Sequence, residues 1–238
     1  MKNIIPGAEK LLCIMEELAE GPRSQQELAK TCLVSDSTCY RALQTLLAHG
    51  WIYRNTSGLY ELSAAFSLLA QHSSKTRFRS LQPWLEALSR QCGMASKLSI
   101  REGYSQLTLL RTESPQPIGV SPRQGARFPL AEGTVGAALL CETPLEEIRR
   151  ICLQCPGELE EHDAAVVEER VAVLRCQGWL FSGKLTRWNI FAMSASLRHG
   201  GAVVAAVTLI GLVGDFRNPA GIAGKLLKAI EQMEALLA

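Results

Sequence analysis

Residues 34 to 63 read VSDSTCYRALQTLLAHGWIYRNTSGLYELS. Small polar residues lead into an apolar-periodic run, a glycine stops it, and a short aromatic, alternating segment with a Thr-Ser-Gly turn follows. Ser35 or Asp36 can cap a helix running to about His49, with Gly50 where a left-handed residue is wanted. Stepping about 100° per residue, Cys39, Ala42, Leu43, Leu46 and Leu47 share one face, and Ser37, Arg41, Gln44 and Thr45 the other. Thr38 and Tyr40 flank the polar face. A merely solvated helix would more often carry Glu and Lys there. Hydroxyls, an amide and an arginine are instead groups that can bond base edges and phosphates. Trp51 to Arg54 and Leu59 to Leu62 then read as two strands joined through Asn55-Thr-Ser-Gly58, whose Asn and Gly suit a tight turn.

Upstream, Leu11, Leu12, Met15 and Leu18 recur at helical spacing from Pro6 to Ala19, and Gly21-Pro22 ends the pattern. Ser24-Gln-Gln-Glu27 has the capping-box form and opens a short second helix through Leu28 and Ala29. Three helices and a hairpin make a winged helix-turn-helix, whose third helix enters the major groove while the wing touches backbone. The same unit could instead serve as a protein-interaction module.

The 238 residues, 47% hydrophobic and 20% charged, allow packed cores and exclude wholesale disorder. The net charge of +2 says little about partners, and up to residue 70 six basic residues face seven acidic ones. Position matters more than total charge: Arg41 and Arg54 lie in the opening stretch, whereas Glu9, Glu16, Glu17 and Glu20 lie in the first helix or just after it. Lys75, Arg77 and Arg79 add a basic cluster beyond. No signal-peptide pattern opens the chain, and the longest apolar run, Ala202 to Val213, is too short to span a bilayer, so a cytoplasmic protein with no membrane partner is expected.

Ala64 to Gln71 continues helical, and Thr76 to Gln91 reads as a longer amphipathic helix. From Ala95 the period changes: Ser96 to Arg101 and Gln106 to Arg111 alternate around Glu102-Gly103-Tyr104, a hairpin signal. Helical patterns follow at Thr134 to Cys141, Leu145 to Cys152 and Asp163 to Gln177. Strand patterns occupy Gly178 to Phe181, Ile190 to Leu197 and Ala202 to Ile210, and Pro219 opens a final helix to Leu237. The expected architecture is α+β, with an antiparallel sheet open enough to hold a small ligand.

SQQELAKTCLVSDSTCYRALQTLLAHGWIYR and GLYELS resemble the N-terminal winged helix of the IclR family of bacterial transcription regulators. The matching positions are Ser37, Thr38, Tyr40, Arg41, Leu43, Gly50 and Tyr60 to Leu62. In that family the second domain is a GAF-like α/β effector-binding fold, and Arg123-x-Gly125, Phe128-Pro-Leu130, Gly136, Gly178-Trp179 and Val203 to Ala206 fit it. Ala131 and Ala137 replace the family's usual histidine and lysine, and Ser182-Gly-Lys-Leu185 replaces its acidic run.

The resemblance implies a winged helix-turn-helix over residues 1–70, a helical linker and first helix of the second domain over 71–92, and a GAF-like effector-binding and oligomerisation domain over 93–238. It implies a homodimer or tetramer on double-stranded DNA, reading a pseudo-palindrome. Arg41 and Gln44 are the candidate base contacts. Ser37, Thr38, Tyr40 and Arg54 are candidates for phosphate or mixed contacts, and Thr45 shares their face. Effector contacts fall at Thr134, Val135, Ser182, Ala192 and Thr208. The departures leave two alternatives: an effector changed from a small organic acid to something larger or less polar, or a pocket that has lost its ligand.

No GxxxxGK[ST], GxGxxG, HExxH or GxSxG motif is present, and neither an enzyme, a cofactor nor a metal site is expected. The eight cysteines read mainly as core residues of a reducing compartment. From another function class, Cys152 and Cys155, three apart on a helix face, would be the candidate pair of a thiol-based redox sensor or enzyme. His49 and His199 read as solvated; His72 and His162 carry no motif.

Overall fold

A computed structural model describes residues 5–66, 74–116, 122–155, 163–183 and 190–237. The chain divides into two compact units, Met1–Thr76 and Arg77–Ala238.

In the first unit, α1 (Pro6–Ala19), α2 (Gln25–Thr31) and α3 (Asp36–Ala48) precede the two-stranded sheet of β1 (Ile52–Arg54) and β2 (Tyr60–Leu62). The capping box forms as its spacing predicts: Ser24 Oγ accepts from the Glu27 amide, and the Glu27 carboxylate accepts from the Ser24 amide at 2.8 Å. Those bonds hold the Glu27 carboxyl below its usual range. Of the two candidate caps of α3, Ser35 is the one used, its Oγ accepting from the Thr38 amide at 3.3 Å. Ile14, Leu18, Leu28, Cys39, Leu43, Leu46, Ile52 and Tyr60 form the core, so the apolar face of the opening stretch is buried. Leu33, between α2 and α3, takes a left-handed φ of 52° while 91% exposed. Arg23 bridges to Tyr60 and anchors the wing at its base.

A 3-10 helix (Ser74–Leu81) leads into α4 (Gln82–Cys92) of the second unit. This corrects the single helix expected from Thr76 to Gln91. Pro83 sits in the first turn of α4, where its missing amide costs nothing. A six-stranded antiparallel sheet follows, formed by β3 (Ala95–Glu102), β4 (Ser105–Thr112), β5 (Arg127–Pro129), β6 (Leu180–Gly183), β7 (Ile190–His199) and β8 (Ala202–Leu212). Its order is β5-β4-β3-β8-β7-β6. The β7–β8 hairpin turns through Gly200 and Gly201 at φ 59° and 81°, a pair of values that glycine adopts without strain.

Helix α4 and the C-terminal α8 (Pro219–Leu237) cover one face of the sheet, burying Leu85, Leu88, Leu226 and Met233 against Leu98, Met193, Val207 and Leu209. Helices α5 (Gly133–Leu139), α6 (Leu145–Gln154) and α7 (Ala164–Gln177) form the second core cluster, which takes in Ala206 of the sheet. Gly136 lets α5 seat closely on the turn before it, since a Cβ there would lie 2.2 Å from the Leu130 carbonyl oxygen. Cys155 lies beyond the end of α6 in extended geometry, which corrects the expectation of two thiols on one helical face. Cys39, Cys141 and Cys155 are buried in the cores and Cys32, Cys92 and Cys152 pack half-buried against them, whereas Cys176 is exposed. His199 ends β7 half-buried rather than solvated. The remainder of the Ala64 to Gln71 helix pattern, His72, His162, and Lys184 and Leu185 lie outside the described residues.

Candidate functional site

The polar face of α3 stands free of the first unit's core: Ser37, Tyr40, Arg41, Gln44 and Thr45 are exposed and Thr38 is half-buried. At its N-terminal end Ser35 Oγ lies 3.2 Å from Ser37 Oγ and 2.8 Å from Thr38 Oγ1, a cluster of three hydroxyls beside the unpaired amides of the first turn. Thr45 donates its hydroxyl hydrogen to the Arg41 carbonyl at 2.9 Å, which leaves it able only to accept from a ligand. Lys10 of α1, which the sequence pattern did not single out, lines the same groove of about 290 Å³ as Thr38, Arg41 and Thr45. Two cations therefore sit at one edge of the α3 face.

In the wing, Arg54 donates from Nε to the Gly58 carbonyl at 2.8 Å and lies 5.7 Å over the Tyr60 ring, so its guanidinium is fastened along the turn. Asn55 Oδ1 accepts from the Ser57 and Leu59 amides, each at 3.0 Å, and shapes the tip. Glu61, the wing's one acid, accepts from the Tyr53 hydroxyl and from Asn55 Nδ2. These bonds hold its carboxyl below the usual range and push the Tyr53 phenol up. The acid is turned to its own hairpin, which lessens its repulsion of an anionic partner.

In the second unit, strand register brings Ser182, Ala192 and Thr208 onto one face of the sheet. Ser182 pairs with Ala192, Ser194 with Thr208, and Thr208 with Lys97, across four strands. Thr134 Oγ1 reaches down from α5 to Ser194 Oγ at 2.7 Å, and Ser194 Oγ lies 2.8 Å from Thr208 Oγ1. This buried hydroxyl chain satisfies all three groups and ties α5 to the sheet. Val135 packs in the apolar cluster, while Ser182 and Ala192 stay half-buried at the margin. Ser194 was missed because resemblance marked only the chain's two ends.

Thiol chemistry has little support in the geometry. Burial pushes the Cys152 thiol up, away from the nucleophilic thiolate, and Cys155 Sγ donates to the Tyr104 carbonyl at 3.7 Å. Among the described residues no group of three or more His, Cys, Asp or Glu could hold a metal ion, and no helix is long and apolar enough to cross a membrane.

Residues 72–233 match the family model of the bacterial transcriptional regulator IclR C-terminal domain, which is more than half of the chain. The chain belongs to the IclR family. Residues 7–77 match the HVO_A0261 N-terminal domain. The chain is 27% identical over 124 residues to the HTH-type transcriptional regulator KipR of Bacillus subtilis (strain 168), a match spanning 51% of this chain and 50% of KipR. It therefore spans about half the length of that curated relative.

Among solved structures, an IclR homolog from Microbacterium hydrocarbonoxydans complexed with 4-hydroxybenzoate superposes with a TM-score of 0.73 at 18% identity, covering 97% of this chain and 98% of the other. The Thermotoga maritima IclR gives 0.70 at 17% identity, covering 97% and 98%. Pseudomonas aeruginosa HmgR gives 0.59 at 22% identity, covering 98% of each chain. At these identities the likeness shows the shared fold: an α+β chain with N-terminal helices and a curled antiparallel sheet of GAF-like type. IclR-family proteins are transcriptional regulators rather than enzymes.

Proposed function

We propose that this IclR-family chain works in the cytoplasm as a homodimer or tetramer that binds a pseudo-palindromic operator through residues 1–70, and that residues 93–238 sense a small-molecule effector. The observation that carries the DNA reading is the exposed α3 face. Arg41 and Gln44 project from a helix whose other side is anchored by Cys39, Leu43 and Leu46. A rigid platform of this kind presents side chains to base edges without ordering them at the moment of binding. Arg41 and Gln44 read bases; Ser37, Thr38, Tyr40 and Arg54 take phosphate or mixed contacts, and Lys10 joins them at the groove edge. Two copies of α3 read half-sites about one helical turn, or a multiple of it, apart.

The effector sits against Thr134, Val135, Ser182, Ala192 and Thr208. Because the Thr134–Ser194–Thr208 chain links helix to sheet, a ligand that competes for these hydroxyls shifts α5 relative to the strands. Such a ligand regulates only if it binds the two arrangements of the recognition helices with different affinity. The reading is supported in kind by the 4-hydroxybenzoate complex of the Microbacterium homolog.

The test is selection from random double-stranded DNA by the full chain at fixed salt. An enriched inverted repeat is expected; recovery of sequence-independent binding alone would refute operator recognition.

A further inference from the structure

The β3–β4 half of the same sheet face carries polar groups that the hydroxyl chain does not use. Lys97 is only 4% exposed, yet its ammonium has no hydrogen-bond or ion-pair partner among the described residues; Nζ lies 5.5 Å over the Phe128 ring. Glu132 favours its charge through space. Two residues along, Ser99 pairs with Thr108 across the strands, both 1% exposed. Neither hydroxyl has a hydrogen-bond partner among the described residues. Lys97 and Ser99 lie on one face of β3, and Lys97 leans from there toward β5, past the Ser99–Thr108 pair.

A lysine only 4% exposed, whose ammonium has no hydrogen-bond or ion-pair partner among the described residues, beside two buried unpaired hydroxyls is costly in a folded protein, and such groups collect where a ligand completes them. Between them they offer one positive charge and two hydroxyls free to donate, which suits an oxyanion. Around them Ala95, Phe128 and Ala206 offer apolar surface. Half-buried Phe128 and Glu132 form the margin.

We propose that Lys97, Ser99 and Thr108 form the carboxylate-binding end of the effector site, so that the ligand is an organic acid whose charge lies over the β3–β4 strands and whose apolar body runs toward Thr134 and Ala192. This rests on the sensing reading above and specifies its ligand. It also bears on the missing acidic run at residues 182–185: here the fixed charge is a cation, on a different strand. Gln106 holds the margin in place, its Nε2 donating to the Pro129 and Glu132 carbonyls, each at 2.9 Å.

The test is calorimetry on the full chain with benzoate, 4-hydroxybenzoate and hexanoate, each against its uncharged primary amide. In the wild type at least one acid binds about ten-fold or more tighter than its amide, and Lys97→Met abolishes that preference, lowering acid affinity about 10- to 100-fold while leaving the amide unchanged. Lys97→Arg retains part of the preference. Should Lys97→Met fail to fold, Ser99→Ala with Thr108→Val serves instead: it removes two hydroxyls that bond nothing among the described residues, and lowers acid affinity several-fold.

Equal binding of acid and amide, an unchanged preference in Lys97→Met, or no binding of any of the three acids up to about 10 mM would each overturn the assignment. Operator affinity measured alongside separates the two claims. An acid that binds through Lys97 without altering DNA affinity sinks the sensing reading and leaves the site, whereas a neutral molecule that alters DNA affinity does the reverse.

Discussion

Replacing Lys97 by methionine should make the protein more stable. Burial pushes the Lys97 ammonium down from the usual 10.5 to about 8, against a smaller opposing effect of Glu132. At about 1.4 kcal/mol per unit, keeping the charged form in the folded state costs roughly 3 kcal/mol at neutral pH. Methionine fills similar space without a charge, so Lys97→Met should gain about 2 to 3 kcal/mol at pH 7. In a unit of this size that is roughly 5 to 10 °C in Tm.

The pH dependence fixes the cause. Below pH 8 the lysine is protonated in both folded and unfolded states and the whole penalty applies. Between about 8 and 10.5 the folded state releases its proton first, the unfolded state binds more protons, and wild-type stability gains on the variant. Above that window the penalty is gone. Calorimetric melting of both proteins at pH 7, 8, 9 and 10 reads the gap directly, because every other ionisable residue is common to the two. A variant no more stable than wild type at pH 7, or a gap that does not narrow with pH, would refute the picture of an unpaired buried ammonium.

Other expectations follow from single contacts. Gly136→Ala forces a Cβ against the Leu130 carbonyl oxygen at 2.2 Å, so α5 must shift; a loss of about 2 to 4 kcal/mol in urea unfolding is expected, together with loss of ligand binding. Ser35→Ala removes the cap of α3 and two hydroxyl contacts, and should cost about 1 kcal/mol in the melting of the first unit and weaken DNA binding.

The first unit was legible because its signals are local. The capping box at Ser24 and Glu27, the faces of α3 and the Asn55–Gly58 turn each depend on residues a few positions apart, and each formed where the spacing put it. Lys10 escaped notice because only the packing of α1 against α3 brings it to Arg41's groove.

The second unit depends on long-range pairing. Along β3, Ser96 to Arg101 reads as ordinary polar-apolar alternation, the mark of a sheet with one wet face. Helices in fact cover both faces, so Lys97 and Ser99 are buried, and only the β3–β8 pairing reveals that Lys97 stands beside Thr208. Ser194 gains its meaning from Thr134 and Thr208 on either side, which no local period encodes. The three residues of β5 are too few to show a period at all, and they carry Phe128.

The most direct test of the DNA-reading claim is the affinity of wild type and Arg41→Ala for the selected operator, at one fixed salt concentration, beside a scrambled duplex. The account predicts that Arg41→Ala loses roughly 1 to 3 kcal/mol on the operator, much less on the scrambled duplex, and relaxes sequence preference. Undiminished operator affinity and preference in Arg41→Ala would contradict it.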